Sequence, residues 1–230
     1  MTEKITSQQE NRIADLVREV VRTLGFSKEE AQEVIESGGM LQAEVKETLK
    51  KLVIANKCFG PAIKEFEITV PADYDHDTQI DTFAKKAKKL STTYYYNDEI
   101  TSANFSKATN RLTPGKAYRV KIFPILSRAS SEDCLSFLWN QNALFVGAQG
   151  MTLVADLKGD ELPAGKYTVS FDEKETLWKE FSGGRRVPGV IRYSDGGFRF
   201  YLGYFRDSWD GSDCLLCFCD LDAQALRPCA

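Results

Sequence analysis

The sequence is short of histidine: His76 is the single imidazole among 230 residues. A Ser–His–Asp or Cys–His mechanism would have to use it. No apolar run approaches the roughly 20 residues that span a bilayer, and the polar start "MTEKITSQQENRIADLV" has no secretory h-region. The net charge of −3 gives no general attraction to nucleic acid or acidic lipid. We therefore expect a cytoplasmic protein with no membrane association.

The six cysteines do not follow a disulfide or zinc pattern, and a chain of this length needs neither to build a core. Three of them lie in "DCLLCFCD" near the C-terminus. In a strand, Cys217 and Cys219 would share one face, and Cys214, Leu216 and Phe218 the other. Three cysteines on opposite faces of one strand cannot hold one ion. We predict a buried strand with reduced thiols, no metal and no cofactor. A metal site and redox chemistry are the alternatives.

Residues 1–56 have the apolar spacing of three short amphipathic helices, which we interpret as a helical head. Gly25 ends the first helix, and "SKEE" is a capping box that opens the second. Short helices need one another, or a partner, to cover their apolar faces. We therefore predict that the head contacts a protein partner or a second copy. The third helix begins with Gln42 and Glu44 instead of arginines, which disfavours a DNA-reading helix-turn-helix.

Residues 57–230 contain both the helical period of 3.6 residues and the strand period of two. This mixture predicts one α+β domain with a largely antiparallel sheet. The predicted strands are "EFEITV", "TTYYY", "KAYRVKIFPI", "ALFVG", "KYTVSF", "RVPGVIRYS", "GFRFYLGYF" and "CLLCFC". The predicted helices are "DTQIDTFAKKAKKL", "SSEDCLSFLWNQ" with Ser130 or Ser131 as its cap, and "AQGMTLVADL".

Several blocks of this second region resemble an uncharacterised, conserved-hypothetical protein family of reduced-genome, candidate-phylum bacteria. They are "NALFVGAQGMTLVADL", "LPAGKYTVSFDEKETLW", "GFRFYLGYF" and "LLCFCDL", and the resemblance covers roughly residues 65–222. The family has no known activity. The resemblance therefore implies a bacterial, cytosolic origin and transfers no site residue.

The segment "DYDHDTQID" places His76 among alternating aspartates: Asp73, Asp75, Asp77 and Asp81. It fails as a calcium loop, because Thr78 stands where glycine is required and Ala84 where the bidentate glutamate is required. We predict a polar loop that ends in a helix cap, with His76 solvated. A cation site of another geometry, and a hydrolase or transferase centred on His76 and these aspartates, remain alternatives.

The segment "GAQG" (Gly147 to Gly150) lies between a predicted strand and a predicted helix, where backbone N–H groups can hold an anion. It lacks both the dinucleotide fingerprint and the phosphate-loop motif. We therefore interpret it as a tight strand-to-helix turn.

Basic and aromatic residues adjoin in "AKKAKKLSTTYYY", a combination typical of contacts with single-stranded nucleic acid. The residues are Lys85, Lys86, Lys88, Lys89, Tyr94, Tyr95 and Tyr96. A solvated helix end followed by an ordinary strand explains the same pattern.

The stretch "GGFRFYLGYFRDSWDG" offers a second candidate surface. Alternation places Arg199, Tyr201 and Phe205 on one strand face, with Trp209 in the next loop. Arginine and aromatic residues are enriched at protein interfaces. Covering of both faces, as in a central strand, is the alternative.

The leading hypothesis is a non-catalytic cytosolic interaction protein that binds a protein partner or itself. Nucleic-acid binding through the Lys85–Tyr96 segment is the first alternative, and the His76-centred enzyme is the second.

Overall fold

The computed structural model describes residues 58–87 and 95–221, so the predicted helical head lies outside the described residues. The strands are β1 (Lys64–Thr69), β2 (Tyr95–Tyr96), β3 (Ala117–Pro124), β4 (Ala129–Ser130), β5 (Tyr167–Ser170), β6 (Arg186–Arg192), β7 (Phe198–Tyr204), β8 (Ser208–Trp209) and β9 (Asp213–Asp220). The α-helices are α1 (Gln79–Ala87), α2 (Ser131–Asn140) and α3 (Gly147–Lys158), and a 3-10 turn (Gly159–Glu161) follows α3.

The main sheet has seven strands in the order β1-β3-β9-β5-β6-β7-β2. Strands β5, β6 and β7 form an antiparallel meander. The parallel pairs are β9 with β5 and β7 with β2. Strands β4 and β8 form a separate two-stranded ribbon. The described residues therefore have the predicted mixed α+β fold with a mostly antiparallel sheet.

Strand β9 is the stretch "DCLLCFCD", and every residue from Asp213 to Cys219 is buried. It pairs antiparallel with β3 and parallel with β5, so both of its edges are bonded. Its side chains alternate as predicted. Cys214, Leu216 and Phe218 enter one core, and Leu215, Cys217 and Cys219 the other.

Cys217 and Cys219 are neighbours on the same face, with their Sγ atoms 3.6 Å apart. The hydrogen bond to Cys219, together with burial, raises the pKa of Cys217 well above its ordinary value. The five cysteines of the described residues are all free.

A separate core covers each face of the sheet. Helices α1 and α3 cover the first face, where Phe83 and Met151 join Val120, Ile122 and Phe218. Helix α2 and the β4–β8 ribbon cover the second face, where Phe137 and Trp209 join Phe123, Phe171 and Leu215. Burial of apolar surface on both sides explains why the central strands are apolar at nearly every position.

Two local predictions have different outcomes. Ser130 caps α2 in a full capping box, since its Oγ accepts from the Asp133 N–H at 3.1 Å and the Asp133 carboxylate accepts from the Ser130 N–H at 3.0 Å. The strand predicted at "ALFVG" is wrong. Leu144 forms only an isolated bridge to Phe218, because β5 already pairs with β9 as far as Leu216 on that edge.

Gly189 in β6 allows the Tyr167 ring to lie directly on the sheet. A Cβ atom added at Gly189 would lie 2.4 Å from a ring carbon of Tyr167. We expect Gly189→Ala to lower the free energy of unfolding by roughly 1–3 kcal/mol, because the ring must leave its packed position. Urea denaturation measures the loss. Gly211→Ala is the matched control, since its added Cβ would meet nothing nearer than 3.9 Å. Equal stability of the two variants would contradict this packing.

Candidate functional site

Four side chains form a surface at the β7 end of the sheet, called here the tyrosine–arginine surface: Tyr95 and Arg199, which are exposed, and Tyr193 and Tyr201, which are half-buried. The register pairs Tyr95 with Arg199, so both lie on the same sheet face. The Tyr95 and Tyr201 rings lie 5.0 Å apart between centroids at 31°, and Tyr95 is 45% exposed. The Arg199 guanidinium donates to the Tyr201 hydroxyl at 3.4 Å and lies 5.2 Å from the Tyr193 ring centroid.

This surface is anchored to the second core through Tyr167. The Tyr167 hydroxyl donates to the backbone carbonyl of Tyr201 at 3.3 Å, and its ring lies 6.2 Å from that of Trp209. Trp209 lies across Gly203 and donates through Nε1 to Ser131 Oγ at 2.8 Å. Tyr167 therefore links the backbone of this surface to Trp209 and Phe171 in the second core.

The prediction that Phe205 and Trp209 belong to an accessible surface is wrong. They are 5% and 4% exposed, and both pack in the second core against Phe171. Trp209 is buried because it belongs to β8, which pairs with β4 beneath α2. Of the four predicted partner-binding residues, Arg199 and Tyr201 therefore remain accessible.

The predicted basic and aromatic segment is divided between the two faces of the sheet. Lys85 and Lys86 are exposed on α1, which packs on the face opposite Tyr95, and Lys86 forms an ion pair with Asp156. Tyr96 packs against Phe200, at 5.3 Å between ring centroids, on that same opposite face. Lys88, Lys89 and Tyr94 lie outside the described residues.

His76 is buried at 5% exposure, so the prediction of a solvated histidine is wrong. Its Nδ1 lies 2.8 Å from the Tyr74 hydroxyl, and its Nε2 has no hydrogen-bond partner within the described residues. Burial lowers the pKa of His76 to about 4, which makes the imidazole neutral at physiological pH. Burial also raises the pKa of Tyr74. Neither group therefore has a pKa near 7, which a general base that works at neutral pH needs.

The neighbouring aspartates have local structural partners. Asp77 forms a bidentate pair with Arg111, both distances being 2.8 Å, and this bond lowers the pKa of Asp77. Asp75 accepts from the Thr78 hydroxyl at 2.8 Å, as in the predicted loop before a helix. Asp81 accepts from the backbone of Ser102 at 3.0 Å. No three His, Cys, Asp or Glu side chains of the described segments are grouped to hold a metal ion.

The "GAQG" turn contains a carboxylate from the protein itself. Asp172, 3% exposed, lies so close to Gly147 that an added Cβ would be 1.9 Å from Oδ2. Its Oδ1 accepts from the Thr109 N–H at 3.0 Å. A carboxylate beside the first turn of α3 is favoured by the helix dipole, so Asp172 takes the place that an external anion would need. Burial raises the pKa of Asp172 to about 7.

No single sequence signal pointed to Asp172 or Thr109. They come together because the chain just after β5 lies beside the start of α3, which comes earlier in the sequence, and the loop before β3 passes the same point. In the sequence, Asp172 and Glu173 lie in the charged segment "FDEKE", a pattern that indicates an exposed polar turn.

Comparisons with known proteins identify no relative of this chain. A scan against protein-family models, a search of curated proteins and a search of solved structures each return no match. Within the two described segments, no helix has both the length and the apolar character required to cross a membrane.

We expect His76 to make the fold sensitive to acid. Its pKa is about 4 in the folded protein and near 6.5 in the unfolded chain. The unfolded chain therefore binds the extra proton first, and the free energy of unfolding falls as pH decreases from 6.5 to 4. His76→Asn removes the titrating group and should flatten this fall in urea denaturation followed across that range. An unchanged pH profile would contradict the prediction.

Asp172 should have the opposite effect. Its pKa is about 7 in the folded protein and near 3.9 in the unfolded chain. The folded state holds the proton longer, so the free energy of unfolding falls as pH increases from about 4 to 7. Asp172→Asn keeps an acceptor for the Thr109 N–H and removes the charge. We expect it to gain stability relative to the native chain at pH 8 but not at pH 4, measured by thermal melts. Asp160→Asn, on an exposed side chain, is the control.

Proposed function

We propose that this chain is a non-catalytic cytoplasmic interaction protein, and that a protein partner binds to its tyrosine–arginine surface. The observation that supports this proposal most directly is the Tyr95–Tyr201 pair beside Arg199. Within the described residues, Arg199 contacts Tyr193 and Tyr201 and pairs with no carboxylate. An acidic side chain of a partner would complete this arrangement.

The geometry is suited to binding because the side chains of this surface are already held in place before a partner binds. Tyr201 is fixed in β7, and Tyr167 bonds its carbonyl. Arg199 is already held between two tyrosines. Rigid aromatic side chains and pre-placed guanidinium groups lose little conformational entropy on association, and such residues are enriched among those that dominate binding energy.

The predicted helical head would be a second contact element or a means of self-association. It lies outside the described residues and rests on the apolar spacing of residues 1–56 alone. The proposed cytoplasmic location is supported by the free cysteines of the described part. The bacterial origin rests on the sequence resemblance.

Nucleic-acid binding receives less support, because the described lysines and Tyr95 lie on opposite sheet faces. An enzyme centred on His76 receives less again, because that imidazole is buried and neutral. Both alternatives can be separated from the proposal by the same variants.

The test compares two sets of substitutions in the full chain. Arg199→Ala with Tyr201→Ala removes the tyrosine–arginine surface. Arg206→Ala is the matched control, since Arg206 also lies over a tyrosine, Tyr204, at 4.7 Å to its ring centroid but outside this surface. We expect the double variant to weaken a partner recovered by cross-linking and pull-down by about thirtyfold or more, as loss of a central contact does. The control should bind like the native chain.

Two results would overturn the proposal. Equal partner affinity of the double variant and of Arg206→Ala would show that the tyrosine–arginine surface does not bind the partner. Retention of single-stranded nucleic acid with a steep salt dependence, abolished by the double variant only, would assign the surface to nucleic acid instead.

A further inference from the structure

A surface cleft of about 380 Å³ lies apart from the tyrosine–arginine surface, between residues 103–107 and the segment 175–185. Its volume is in the range of small-molecule sites. Several of its lining residues, such as Ser106 and Lys179, are exposed, so the cleft opens to solvent.

The first wall of the cleft is held from beneath by Phe105. The Phe105 ring is buried 6.0 Å from that of Trp178, and its carbonyl accepts from Gln149 Nε2 at 2.7 Å. Asn104, next in the wall, donates through Nδ2 to the Glu99 carbonyl at 2.8 Å. These bonds fix the backbone that carries Ser106 and Lys107.

The second wall is fixed by the buried network around Asp172. Thr109 donates its N–H to Asp172, and its hydroxyl lies 2.9 Å from that of Thr176, which lines the cleft. Leu177 is buried behind this wall. An isolated bridge between Lys179 and Arg185 continues it. Both walls therefore have a defined shape without a ligand.

The cleft is positively charged. Lys107, Lys179 and Arg185 line it together with one carboxylate, Glu175, which pairs with Arg185 at 2.6 Å. In the described part of the chain, Lys107 and Lys179 form no ion pair. Two cationic side chains thus remain unneutralised at one opening, in a protein whose net charge is −3.

The remaining lining groups suit an organic ligand more than a bare ion. Trp178 is half-buried and supplies aromatic surface, while Asn104, Ser106 and Thr176 supply polar atoms. Aromatic side chains stack on flat heterocycles, and lysine and arginine bind phosphate.

We propose that this cleft binds a small phosphorylated compound with an aromatic ring, of the size of a nucleoside monophosphate. The phosphate would lie at Lys107 and Lys179, and the ring beside Trp178. This site goes beyond the proposed protein-binding function and does not depend on it, because it shares no residue with the tyrosine–arginine surface.

The test titrates the full chain with adenosine monophosphate, adenosine and inorganic phosphate, using calorimetry and saturation-transfer NMR. We expect adenosine monophosphate to bind best, since only it satisfies both parts of the cleft. Lys107→Gln with Lys179→Gln should weaken its binding by about tenfold or more through loss of charge-assisted contacts. Both lysines are exposed, so the double variant should fold.

Lys158→Gln is the control, because Lys158 is an exposed lysine in the last turn of α3, outside the cleft. Three outcomes would overturn the proposal. One is no saturable binding of adenosine monophosphate. Another is adenosine or inorganic phosphate binding as tightly as the monophosphate. The third is Lys158→Gln weakening binding as much as the double variant does.

Discussion

The fold depends on β9 lying between β3 and β5 with both faces covered. The other strands of the main sheet form two separate groups, β1 with β3, and β5 with β6, β7 and β2. Only β9, at the end of the described chain, joins them into one sheet. Both of its edges and both of its faces are buried, so its side chains must be apolar and compact. Cysteine meets this requirement as a small hydrophobic residue.

Burial on both sheet faces also determines where binding can occur. The central strands have no accessible face, so accessible side chains lie at the two edges of the sheet, on the outer faces of the helices and in the loops. At the β7 end, Tyr95 and Arg199 lie beyond the cover provided by α2 and Trp209. In the loops, residues 103–107 and 175–185 form the cationic cleft. The two proposed sites are therefore peripheral features that the core holds rigid.

Two buried titratable groups lie outside both proposed sites. Asp172 accepts from Thr109 behind the cleft and lies at the start of α3, while His76 contacts Tyr74 within the loop after β1. Burial disfavours the charged form of each group. The fold therefore favours neutral His76, whose protonation in acid destabilises it, and neutral Asp172, whose ionisation in alkali destabilises it.

Local pattern by itself determined much of this protein: the period-two faces of β9, the Ser130 capping box, the helix at "AQGMTLVADL" and the α+β class with a mostly antiparallel sheet. Each depends on neighbours within a few residues, so the printed sequence contains the necessary information. Tertiary structure alone decided that His76 and Trp209 are buried, that Lys85 and Tyr95 lie on opposite faces, and that Asp172 meets Gly147. Those outcomes depend on which distant segments pack against a residue. The periodicity of one segment does not specify which other segments will pack on it.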